Sequence, residues 1–196
     1  LIIETTETGK KLTGLRVRIE DQRELIISAR REVILSAGSI GSPQILQVSG
    51  IGNAEHLKQA GVDAVHNLPG VGENLHDHLQ VRTVYKVKNT VTLNQRVNSI
   101  VGKIAMGLEY MIFKTGPLTM PPSQLGAFAK SDDSQPSAKI EWHVQPRTLD
   151  KFGGPLHKLN AITPSVCNLR PASRGHVRIK SPDADEYPAN TLDNLS

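Results

Sequence analysis

Residues 32–52, EVILSAGSIGSPQILQVSGIG, constrain the fold more than any other stretch of the chain. Val33, Ile34 and Leu35 form a continuous apolar run that stops at three small residues, Ser36, Ala37 and Gly38. Ser42 and Pro43 follow, and a second apolar segment closes at Ser49, Gly50 and Gly52. The pattern predicts a buried strand, a tight turn and a short helix. The apolar run has no alternating polar positions, so the strand is expected to be covered on both faces, as inside a parallel sheet, and it is too short to cross a bilayer. Where it stops, the missing side chains let backbone approach a ligand closely, and the following helix offers unpaired N–H groups to an anion.

The flanking sequence predicts further elements. Leu1 to Glu4 reads as a strand end followed by a turn at Thr8, Gly9 and Lys10. Leu15, Val17 and Ile19 alternate with charged residues, Asp21 and Gln22 turn the chain, and Glu24 to Ala29 returns, which is a hairpin pattern. Asn53 is placed to cap a short helix from Ala54 to Ala60, with Gly61 ending it. Val62 to Leu68 reads as a short strand before the loop GVGENLHDHL, residues 70–79. In that loop Gly72 permits a left-handed or closely approached backbone, Asn74 can bond its own main chain, and Asp77 can orient or charge a neighbouring imidazole. His76 and His78 lie on one side if the segment is extended. With no cysteine or third ligand nearby in sequence, the expectation is a hydrogen-bonded structural loop and no metal.

From Gln80 onward the character changes. Leu79 to Lys88 alternates as a half-buried strand, residues 97–114 carry Ile100, Ile104, Met106, Leu108, Met111 and Ile112 at helical spacing, and Gly116-Pro117 ends that helix. Its methionines read as core. Gln124 to Ala129, Lys139 to Gln145, Ala161 to Asn168 and Val177 to Lys180 read as strands, with Trp142 filling a core and His143 on the opposite face. A polar loop, Asp132 to Ser137, and a Gly-Pro loop around Gly153 connect them. The fold class predicted is α+β.

Composition excludes several functions. The net charge is +4 with a pI near 9.3, but Lys and Arg are scattered and aromatic residues are 4%, so stacking platforms for nucleic acid are not expected. The aromatic residues, Phe152 and Tyr187 among them, suggest no cage for a quaternary ammonium. No apolar run approaches the roughly 20 residues of a transmembrane helix. The single cysteine, Cys167, has no internal disulfide partner, fits a reducing compartment, and reads as a small core residue in an apolar run. The chain opens without methionine at Leu1 and stops at Asn194-Leu195-Ser196 with neither helix cap nor polar tail, and so reads as a piece of a longer protein.

Three motifs carry a family resemblance. GSIGSPQILQVSGIG, residues 38–52, resembles the second signature of the glucose-methanol-choline (GMC) flavoprotein oxidoreductases. Val71, Gly72, Asn74, Leu75, Asp77 and His78 are similar to that family's V-G-x-N-L-x-D-H loop, which packs near the flavin. NLRPASRGHVRIKS, residues 168–181, resembles the N-x-x-P-x-S-R-G-x-V-x-[IL]-x-S element of its C-terminal region, followed by a degraded continuation through Pro188, Asn190, Leu195 and Ser196. Arg170, Arg174 and Arg178 in this element read as anchors of the turn rather than as phosphate ligands.

The resemblance implies an FAD-dependent oxidoreductase that oxidises the CH–OH group of choline or another primary alcohol by hydride transfer to flavin. Residues 1–78 would be the last part of the FAD-binding, Rossmann-like domain. Residues 79–196 would be a truncated substrate-binding domain built on an antiparallel sheet with helices on one face. Ala37, Gly38, Ser42, Gly72, Asn74, Asp77 and His78 are the implied cofactor-binding residues. No catalytic residue is assigned, since the family's catalytic histidine is expected beyond Ser196, and the fragment alone is expected to be inactive. A Gly-x-Gly-x-x-Gly turn for the dinucleotide is absent from these residues. The partner expected is a small alcohol, with the electron acceptor open and the location cytoplasmic or membrane-associated through the full-length protein. A GMC-fold hydroxynitrile lyase and a non-catalytic substrate domain are the alternatives.

Overall fold

The computed structural model describes residues 1–193 except 8, 20–22, 122 and 152. The predicted turns through Thr8 and Asp21-Gln22, the aromatic Phe152, and Asn194, Leu195 and Ser196 lie outside the described residues. The chain forms two compact units: Leu1–Asp77 together with the stretch that begins at Ala172, and His78–Pro171. The sequence division left everything after residue 79 in one part, whereas the stretch from Ala172 returns to the first unit.

In the first unit, strands β1 (Ile2–Thr6), β2 (Gly9–Arg18) and β3 (Glu24–Ser28) form an antiparallel meander. The expected strand at Val33 to Leu35 is not one: it has no ladder partner among the described residues, and Ile34 is 79% exposed. A continuous apolar run is a buried strand only where neighbours hydrogen-bond to it on both sides, and these residues supply none. Helix α1 follows as predicted, spanning Gly38–Val48, with Gly38 at φ +81 turning the chain into it. Helix α2 (Ala54–Gln59) begins at Asn53, whose side-chain oxygen accepts from the N–H groups of Glu55 and His56, both at 3.1 Å. Short strands β4 (Ile51–Gly52) and β5 (His66–Asn67) pair in parallel around it.

The motif loop adds a strand not foreseen from sequence, β6 (Glu73–Leu75). It pairs with β12 (Gly175–Arg178), which also pairs with β13 (Ala189–Thr191). A small apolar core of Leu57, Ala60 and Ile179, with Val48 and Val62 against it, joins both helices to the segment after β12. Gln47 makes the polar link. Its side chain is 1% exposed, its Nε2 donates to the Val177 carbonyl at 2.9 Å and the Val71 carbonyl at 3.4 Å, and its Oε1 accepts from the Ile179 N–H at 2.9 Å. Arg178 pairs with Glu73 at 3.1 Å and so links β12 to β6.

The second unit is built on an antiparallel sheet in the order β7 (Gln80–Arg82), β11 (Ala161–Asn168), β10 (Ile140–Gln145), β9 (Leu125–Ala129), with β8 (Tyr85–Lys86) also on β11. The single strand expected over Leu79 to Lys88 is broken at Thr83. The Thr83 N–H donates to the Pro164 carbonyl at 3.0 Å, but Pro164 has no N–H to return the bond, so the ladder is interrupted opposite it. The helix predicted over residues 97–114 is α4 (Ile100–Phe113), and a short helix not predicted from sequence, α3 (Leu93–Asn98), precedes it. Ser99 separates them in an extended conformation and caps the second by accepting from the Gly102 N–H. Met106 is buried, but Met111 is 71% exposed, so only one of these two helical methionines lies in the core. Trp142 is 40% exposed rather than in a core, because its row of β10 faces the open apolar side of the sheet with Val81 and Leu125.

Asn94 fastens α3 to the end of the sheet. It is fully buried; its Nδ2 donates to Thr148 Oγ1 at 2.6 Å and its Oδ1 accepts from the Thr148 N–H at 2.9 Å. Replacing Gln47 by Ala should destabilise the first unit by about 2–4 kcal/mol, because two buried backbone groups lose their partners. A urea midpoint that falls with an unchanged m-value is the expected result; an unshifted midpoint would refute it.

Candidate functional site

Helix α1 and the motif loop enclose a cleft of about 510 Å³, lined among others by Ser39, Ser42, Leu46, Gly72, Asn74 and His76. The amino end of α1 points its unpaired N–H groups outward with no acidic residue in the first turn and no side-chain cap. Ser42 Oγ accepts instead from the Ala37 N–H at 3.0 Å, which ties the turn back to the helix and fixes that hydroxyl. At Gly38 a Cβ would meet nothing within 4 Å, so the backbone there is open to an approaching group.

The other wall depends on two left-handed residues. Gly72 has φ +82, and a Cβ there would lie 2.2 Å from the Val177 carbonyl oxygen and 2.5 Å from Gln47 Nε2. Only glycine lets the loop lie this close to β12, where the Val177 N–H donates to the Gly72 carbonyl at 2.7 Å. Asn74 has φ +62, a conformation asparagine tolerates, and lines the cleft. The Asn74 backbone carbonyl can only accept, so at 2.8 Å His76 Nδ1–H donates to it and the lone pair is on Nε2. His76 was read only as half of a metal pair; its hydrogen bond to Asn74 makes it a wall of the cleft.

Of the seven implied cofactor positions, the structure gathers Ser42, Gly72 and Asn74 on one cleft, with Ala37 and Gly38 adjoining Ser42 at its helical end. Asp77 and His78 are not among its lining residues. His78 opens the second unit, where its Nε2 donates to the Leu169 carbonyl at 3.3 Å. His143 is half-buried and pairs with Glu141 at 3.1 Å.

A family model described as GMC oxidoreductase matches residues 1–80. The oxygen-dependent choline dehydrogenase of Cronobacter sakazakii is 39% identical over 170 residues, 87% of this chain and 30% of that protein. The chain belongs to the GMC oxidoreductase family. A crystal structure of a formate oxidase superposes with a TM-score of 0.85 at 25% identity, covering all of this chain and 38% of that one. A formate oxidase from Aspergillus oryzae studied for modification of its FAD gives 0.79 at 23% identity, over 93% and 36% of the two chains, a likeness of fold. The chain thus spans about a third of the length of the relatives it matches.

GMC oxidoreductases are FAD-dependent, and the residues present fit such a group. An uncapped helix end without acidic neighbours accepts an electron-rich ring edge or a phosphate, and the glycine wall is shaped by backbone that a Cβ would displace.

Behind Gln47 lies a smaller polar cavity of about 260 Å³ whose lining includes Asn53, His56, Glu73 and Arg178. His56 Nε2 is buried without a hydrogen-bond partner, and burial, then the Arg178 charge, lowers the imidazole pKa below its usual 6.5. The unfolded chain therefore binds this proton first as pH falls. His56 contributes full stability above 6.5, and that contribution declines as pH drops through 6.5 toward the lowered folded value. Between about pH 7 and about pH 5, the parent chain should lose more stability than His56→Gln, read as urea midpoints; parallel curves would contradict this.

Proposed function

We propose that this chain is the part of an FAD-dependent alcohol oxidoreductase that closes one side of the flavin site and supplies a sheet to its substrate domain. The observation that carries the reading is the cleft in which an uncapped helix end faces a glycine-shaped loop, built from two motifs 30 residues apart in a chain related to choline dehydrogenases. FAD, when bound, would accept the hydride that leaves the carbinol carbon.

The chain's own residues then act by holding and orienting. The Ala37 turn and Gly38 bring main chain to the cofactor without side-chain obstruction, and the α1 dipole stabilises electron density gathered at the helix end. Ser42 offers a hydroxyl whose orientation is set by the Ala37 N–H. Gly72 lets the opposite wall approach, Asn74 offers an amide, and Leu46 excludes water from the wall between them. Asp77 and His78 follow this wall directly in sequence; their part is orientation of the loop rather than contact with the group. The reading assigns no catalytic base to these residues. The substrate class is a small primary alcohol, with choline first to be tried, and the isolated chain is read as inactive.

Two outcomes are expected of the full-length polypeptide that carries this sequence. Purified with FAD, it should be yellow, and under anaerobic conditions choline or another primary alcohol should bleach its 450 nm band (about 450 nm is the ordinary flavin maximum). A flavin that stays oxidised while product forms would replace the redox reading with lyase chemistry, and failure to bind FAD would overturn the site. The second is that Asn74→Gly, which keeps the left-handed backbone and removes only the amide, should weaken FAD binding about tenfold, the worth of one hydrogen bond. Titration by flavin fluorescence reads it, and unchanged affinity removes Asn74 from the site.

A further inference from the structure

The register of the second sheet brings together three side chains that are scattered in sequence. Cys167 on β11 lies opposite Glu141 on β10 and opposite Gln80 on β7, so the three occupy one row across the sheet. His78 lies just before β7, beside Leu169, whose carbonyl accepts from its Nε2. The ligand atoms of His78, Glu141 and Cys167 all lie within 4.8 Å of one another. We propose that His78, Glu141 and Cys167 form a divalent-metal site of the Zn²⁺ class, with three protein ligands and a fourth position open on the exposed His78 side.

The donor set is the reason for this metal. A thiolate, an imidazole and a carboxylate match a borderline-soft cation that takes four ligands, and the combination excludes hard cations such as Mg²⁺ and Ca²⁺, which take oxygen ligands. This is not a patch of solvated acids: Cys167 is 3% exposed and the Glu141 side chain 17%. The surroundings also orient the ligands. Glu141 Oε1 is held by His143 Nε2 at 3.1 Å, leaving Oε2 turned to Cys167 Sγ at 3.6 Å. The Leu169 carbonyl can only accept, so the proton of His78 is on Nε2 and the lone pair on Nδ1. Such outer partners, a histidine on a carboxylate and a carbonyl on an imidazole, are those that fix metal ligands in place.

In the absence of metal the thiol keeps its proton, held by burial and by the bond to Glu141. On binding, the S–H bond breaks heterolytically, the proton leaves to water, and the sulfur pair enters the metal–sulfur bond; no electron is transferred. Closing the triangle from 4.8 Å requires an inward movement of the exposed His78.

The test is equilibrium dialysis of the full-length, metal-stripped polypeptide against ZnCl₂, with bound zinc counted per chain, on the parent and on Cys167→Ser and Glu141→Gln. One zinc per chain is expected, with affinity about tenfold or more lower in each variant. To remain decisive should a variant not fold, alkylation of Cys167 by iodoacetamide is followed in the parent by peptide mass analysis, with and without Zn²⁺. Zinc should slow it at least about tenfold, since a metal-bound sulfur is a poorer nucleophile. No retained zinc, zinc retained equally by folded Cys167→Ser, or alkylation indifferent to zinc would each overturn the site.

Discussion

The first unit depends on a single buried amide. Gln47 is the last-but-one residue of α1, and from there it bonds the motif loop at Val71 and both sides of the β12 exit at Val177 and Ile179. Segments about 130 residues apart are thereby fastened without a large apolar core between them. A glutamine suits this position because its amide both donates and accepts, so one side chain satisfies an N–H and a carbonyl that the ends of short strands would otherwise leave unpaired. The cost of burying that amide is offset only while every partner is in place, which makes the junction all-or-none.

The cleft follows from the same junction. Gly72 must be glycine because the loop is drawn against Val177 and Gln47, and the turn that places Asn74 and His76 on the wall begins there. The cleft wall is thus set by packing on its far side. The helix end opposite needs less support: Gly38 turns the chain, Ser42 bonds back to Ala37, and the dipole of α1 does the rest. A wall held by long-range contacts faces a helix end made from local ones.

The second unit uses a different device. Its sheet is amphipathic in an unusual sense, with Glu141, His143, Cys167 and Ser165 on one face and Trp142, Val81 and Leu125 on the other. The polar face is stitched by paired side chains, while the apolar face and one side of α4, including Ile104, Leu108 and Met111, stand open to solvent. Apolar area of this extent is a surface made to be covered. The buried Asn94–Thr148 pair compensates by fixing α3 to the sheet through hydrogen bonds rather than through apolar burial.

Much of this was legible in the sequence, and for local reasons. The α1 helix, the Asn53 cap, the hairpin before them and most strands of the second sheet are encoded by short-range patterns, and the three motifs are specific enough to point to the family. Ser42, Gly72 and Asn74 were singled out from the same motifs. What the sequence misjudged depended on neighbours: Val33 to Leu35 is an apolar run without a sheet beside it, and Trp142 lies on an uncovered face. Thr83 breaks its strand because of a proline some 80 residues away. His76 as a cleft wall, the return of the stretch after Ala172, and the meeting of His78 with Glu141 and Cys167 were decided by register and long-range pairing alone. Periodicity states which way a side chain points along its own strand; only the tertiary structure states what it points at.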